Sequence, residues 1–66
     1  MSAGRDREPS VAELRALAEH AGQRLALYRR RMYLGRGDRR RLAELERIAQ
    51  GATDRLRRAR TREQAP

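Results

Sequence analysis

Leu34-Gly35-Arg36-Gly37-Asp38 is the stretch that decides the fold. Two glycines within three residues supply positive φ at little cost, and Asp38 is a good N-cap for a helix that follows. A Gly-x-Gly placed inside a continuous helix would cost about 2 kcal/mol. The stretch therefore reads as a turn between two helices of about residues 10–34 and 38–61.

Upstream of the turn, Ser10-Val11-Ala12-Glu13 has the form of a capping box, in which Ser10 and Glu13 satisfy each other's backbone N–H groups. Pro9 disfavours an earlier helical start. From there Val11, Leu14, Ala18, Ala21, Leu25, Tyr28 and Met32 recur at spacings of three and four. Downstream, Leu42, Leu45, Ala49, Ala52, Leu56 and Ala59 do the same. Such spacing gives each helix one apolar seam.

The two seams match. In an antiparallel hairpin, facing residues have numbers of constant sum, and Val11/Ala59, Leu14/Leu56, Ala18/Ala52, Ala21/Ala49, Leu25/Leu45 and Tyr28/Leu42 all sum to 70. Small faces small in the middle layers, so the helices can approach closely there. Glu13 falls opposite Arg57 by the same rule. The expected fold is all-α: an antiparallel two-helix coiled-coil hairpin, dimerising or completed by a partner, with residues 1–9 and 62–66 frayed. Two continuous helices pairing as an antiparallel dimer about Gly35 would satisfy the same sums, and stand as the alternative.

Sixty-six residues make one domain at most, with a small core. Two helices alone supply no more than about 3–5 kcal/mol of net stability. There is no cysteine and a single histidine, His20, so neither a disulfide framework nor a metal site is expected. No apolar run approaches the ~20 residues of a membrane span. Residues 1–9 do not read as a signal peptide, and a cytoplasmic location is expected. Glu13, the base at helical spacing from Ser10, is committed to the cap, and Ser2 lies in the segment expected to fray. No base stands so placed beside Thr53 or Thr61, and no Gly-rich strand-to-helix loop is present. The chain is not expected to be an enzyme.

All 17 basic residues are arginine and 11 residues are alanine, a composition typical of a GC-rich bacterial genome. The net charge of +8 points to an anionic partner: nucleic acid, nucleotide, membrane surface or acidic protein. The charge is concentrated at the hairpin tip, in Arg29, Arg30, Arg31, Arg36, Arg39, Arg40 and Arg41. The last three sit where a second helix begins, against its dipole. Chance scatter of arginine over solvated faces accounts for this about as well as an anion site does. A second cluster, Arg55, Arg57, Arg58, Arg60 and Arg62, is expected near Asp6, Glu8 and Glu13 and neutralised there. Leu17 and Ile48 lie beside the seam, where they broaden the core or meet a second copy. Arg36-Gly37-Asp38 spells a cell-adhesion tripeptide, which in an arginine-rich chain is read as coincidence.

The run Leu27-Tyr28-Arg29-Arg30-Arg31-Met32-Tyr33-Leu34-Gly35-Arg36-Gly37-Asp38, continuing to Leu45, resembles the RsiG-type anti-sigma family of actinobacteria. These are coiled-coil proteins that bind cyclic di-GMP and sequester a sporulation- or flagellar-type sigma factor. The family signature is E-x3-S-x2-R-x3-Q-x3-D, and its five positions fall here at Gln23, Leu27, Arg30, Leu34 and Asp38. The arginine and the aspartate match, and Gln23 approximates the glutamate. The resemblance covers about a third of the chain and implies a segment that is helical throughout. Two polar positions have become leucine, which cannot pair with a guanine edge.

The resemblance implies a regulatory module that holds a sigma factor, with or without cyclic di-GMP and with no cofactor required. Gln23, Leu27, Arg30, Tyr33, Leu34 and Asp38 are its candidate contact residues. The competing reading is a dimeric basic hairpin that binds nucleic acid electrostatically. Tyr28 and Tyr33 are the only aromatic residues, so base stacking is poorly provided for. Adsorption to a membrane surface is weaker, because the main apolar stripe is used for pairing.

Overall fold

The computed structural model describes residues 9–64, which form two helices, α1 (Val11–Tyr33) and α2 (Arg39–Gln64), folded back on each other as a hairpin. Ser10 caps α1 from an extended conformation. Its Oγ accepts the Glu13 N–H at 3.1 Å, and Glu13 Oε1 accepts the Ser10 N–H at 2.7 Å. The capping box thus engages both side chains.

α1 ends because the backbone turns left-handed at Gly35, with φ +77°. The Gly35 N–H donates to the Met32 carbonyl at 2.9 Å, and the Arg36 N–H donates to the Arg31 carbonyl at 2.9 Å. This crossed pair is a Schellman motif, which closes carbonyls that a helix end otherwise leaves open. A side chain at 35 would meet nothing within 4 Å, so only the dihedral requires glycine there. Gly37 is different. A Cβ at 37 would lie 2.8 Å from Met32 Cγ and 3.3 Å from Tyr28 Cε2, so a side chain there would force the Met32 side chain to shift.

Asp38 then starts α2. Its Oδ1 accepts the Arg40 N–H at 3.2 Å, and its carbonyl accepts the Leu42 N–H at 3.0 Å. An N-cap of this kind is worth about 1 kcal/mol. The break at Gly35 excludes the continuous-helix dimer.

Every seam position is buried or half-buried, from Val11 to Met32 on α1 and from Leu42 to Ala59 on α2. The core is Leu14, Ala21, Leu25, Leu45 and Ala59. The register is antiparallel along the whole length. One groove joins Pro9 and Leu14 to Arg58 and Arg62, a second joins Leu17 and Arg24 to Leu45 and Arg55, and a third joins Leu27 and Arg31 to Arg41 and Leu45. Numbers rise on α1 as they fall on α2, as the constant sum requires.

Two expectations differ in detail. α2 continues to Gln64, past residue 61, so residues 62–64 are helical rather than frayed, with the Thr61 hydroxyl donating to the Arg57 carbonyl at 3.0 Å. Arg57 does not meet Glu13. It faces Asp54 of its own helix at 3.8 Å, while Glu13 is held by the cap. A constant sum places backbones opposite each other, but these two side chains leave the seam on different flanks. Asp6 and Glu8 lie outside the described residues, as do the rest of residues 1–8 and residues 65–66.

Candidate functional site: the outer face of α1 and the arginine tip

Gln23, Leu27, Arg30 and Leu34 step by four, three and four; α1 carries the first three on its outer side, and Leu34 follows as its C-cap. All four are exposed, Leu27 at 66% and Leu34 at 63%. Tyr33, one turn beyond Arg30, is 91% exposed. Large apolar side chains with that much open surface contribute little to the hairpin itself.

Asp38 does not belong to this stripe. The left-handed turn at Gly35 takes the chain out of α1 before residue 38 is reached, and the Asp38 carboxylate is occupied in capping α2. The Asp38 backbone is held as well: its N–H donates to the Tyr28 hydroxyl at 2.7 Å, and that hydroxyl lies 3.4 Å from the Asp38 carbonyl, to which it donates. Four of the five signature positions are brought together and the fifth is set apart. The hydrogen-bonding side chains left on the stripe are the Gln23 amide and the Arg30 guanidinium.

The tip arginines divide into two groups. Arg29 reaches Glu46 across the helices at 3.5 Å, Arg41 meets Glu44 at 2.8 Å, and Arg31 lies 5.8 Å from the centre of the Tyr28 ring. These are exposed contacts worth at most about 1 kcal/mol each. Arg30, Arg36, Arg39 and Arg40 have no acidic partner among the described residues. The first turn of α2 holds no acid, so the Asp38 cap is what offsets the placement of Arg39 and Arg40 against its dipole.

No protein-family model, curated protein or solved structure matches the chain.

Two features were not legible beforehand. Tyr28 reads as a seam residue, yet its hydroxyl ties the turn to α1. A tyrosine where the seam elsewhere uses Leu or Ala was the available signal, since a buried phenol seeks a polar partner. The other is a groove on one flank of the hairpin, about 330 Å³ in volume, with Ala21, Leu45 and Ala52 among its walls. Leu17 and Ile48 line it too, half exposed at 50% and 47%. They neither complete the core nor lie isolated on the surface. Among the described residues, no helix is long and apolar enough to cross a membrane, and no cluster of acids or histidines could hold a metal ion.

Proposed function

We propose that this chain is a small regulatory protein-binding module that acts as an anti-sigma factor, holding a sporulation- or flagellar-type sigma factor against the outer stripe of α1. The observation that carries the reading is the pair Leu27 and Leu34, both about two-thirds exposed, on one helical stripe with Arg30 between them. Arg30 and the neighbouring Tyr33 are of the types that dominate protein–protein binding energy, and leucines beside them would exclude water from those contacts. The tip arginines that meet no acid among the described residues would speed encounter with an acidic partner surface.

The stripe fits a protein better than it fits cyclic di-GMP. Two leucines stand where hydrogen-bonding groups would face guanine edges, and Asp38 is engaged elsewhere. Leaving a base edge unpaired costs a few kcal/mol. The module therefore holds its partner without the dinucleotide.

The test is capture of partners from a lysate of the native host by the tagged chain, at moderate salt, with and without nuclease. A sigma factor recovered in both samples supports the reading. Bound material that disappears with nuclease contradicts it.

Nucleic-acid binding is the second reading, and the four tip arginines without an acidic partner among the described residues are what favour it. Binding of that kind is dominated by counterion release and falls steeply with salt.

A further inference from the structure

The flank groove lies between the helices and includes none of the outer-stripe residues, although Leu27 lines its extension toward the tip. Its walls combine apolar and small residues: Leu17, Ala21, Leu45, Ile48, Gly51 and Ala52. The polar groups around them are all cationic or neutral: Arg24, Arg47, Arg55 and His20, with no carboxylate among them. None of these three arginines has an acidic partner among the described residues. The opposite flank contrasts with this, carrying the Arg29–Glu46 bridge.

The track continues toward the tip. A second groove, lined by Leu27, Arg31 and Arg41, shares Arg24 and Leu45 with the first. From Leu17 to Leu27 the track runs along about 15 Å of α1, the length of a helix of about ten residues.

We propose that this groove receives an acidic amphipathic helix of a partner protein, its apolar side chains seated between Leu17 and Ile48 and its carboxylates on Arg24, Arg47 and Arg55. Charge decides the occupant. A second copy of the chain, packed flank to flank, would set the same three arginines against themselves, like charge against like, at the rim of the interface. An acidic helix instead supplies the counter-charges that the rim lacks. Gly51 lines the groove, and a Cβ there would meet nothing within 4 Å, so a larger side chain has room to enter it. The proposal rests on the protein-binding reading above and names the chemistry of the docking element.

The test uses the full chain and a fluorescent synthetic peptide, helical, with leucines at spacings of three and four and glutamates on both flanks. Its counterpart replaces every glutamate with lysine. Anisotropy titrations are expected to show the glutamate peptide binding about tenfold or more tightly than the lysine peptide. Gly51→Leu fills the groove while improving helix propensity, so it keeps the fold and removes binding. Arg24→Glu with Arg55→Glu is expected to invert the preference between the two peptides. Leu34→Glu lies outside both grooves and leaves peptide binding unchanged, although it weakens sigma-factor capture, so the two proposals fail separately. Equal binding of both peptides, no binding of either, or binding unaffected by Gly51→Leu overturns the proposal. So does sedimentation showing a dimer of the chain that Gly51→Leu dissociates, because a second copy then occupies the groove.

Discussion

The Tyr28 hydroxyl accepts the Asp38 backbone N–H at 2.7 Å, joining the last turns of α1 to the N-cap of α2. One phenol thereby holds the angle at which the second helix departs. Tyr28→Phe keeps the ring and deletes the acceptor. The expected cost is about 0.5–1.5 kcal/mol, read as a fall in thermal midpoint by circular dichroism. An unchanged midpoint would mean that solvent replaces the hydroxyl without loss.

The two turn glycines are favoured for different reasons, and substitution separates them. Gly35→Ala forces an L-residue into the left-handed region and should cost about 1–2 kcal/mol. Gly37→Ala should also destabilise, but the loss should shrink when Met32→Ala opens the space that the new methyl enters. Thermal melts of the two alanine variants with and without Met32→Ala check this. Rescue of Gly35→Ala by Met32→Ala would argue against the dihedral explanation.

Asp38 is expected to behave as a cap and not as a contact residue. Asp38→Asn retains the side-chain acceptor and should leave both stability and partner capture nearly unchanged. Asp38→Ala should lose about 1 kcal/mol of stability. A loss of capture in Asp38→Asn with the melt unaltered would return Asp38 to the binding surface.

Arg39 and Arg40 oppose the dipole of α2 with no acid in its first turn. Replacing both with glutamate should therefore stabilise the hairpin by about 0.3–1 kcal/mol per site at low salt. A lower melting temperature would show that these arginines make stabilising contacts within the chain.

The fold was largely readable in advance, and for specific reasons. Ser10 with Glu13 marks where α1 begins, Gly35 and Asp38 mark the turn, and the three-and-four spacing marks which face is covered. Pair sums identify the register because two straight helices leave one free parameter. Side-chain detail beyond the seam was less accessible. The Glu13–Arg57 pairing failed because the constant sum says nothing of which flank a side chain takes. Asp38 left the stripe because one left-handed residue breaks the helical phase that the signature spacing assumes. The groove was half visible: Leu17 and Ile48 stood out as surplus apolar residues, but their arginine frame comes from positions on two helices with no shared local pattern.

Leu27 and Leu34 are where the functional reading is most exposed to refutation. The most direct measurement is a nuclease-treated capture comparing the wild-type chain with Leu27→Glu, Leu34→Glu, alongside circular dichroism of both. A sigma factor on the wild-type chain, its loss from the double variant, and equal helicity in the two are expected. The same sigma factor held undiminished by the double variant would contradict it.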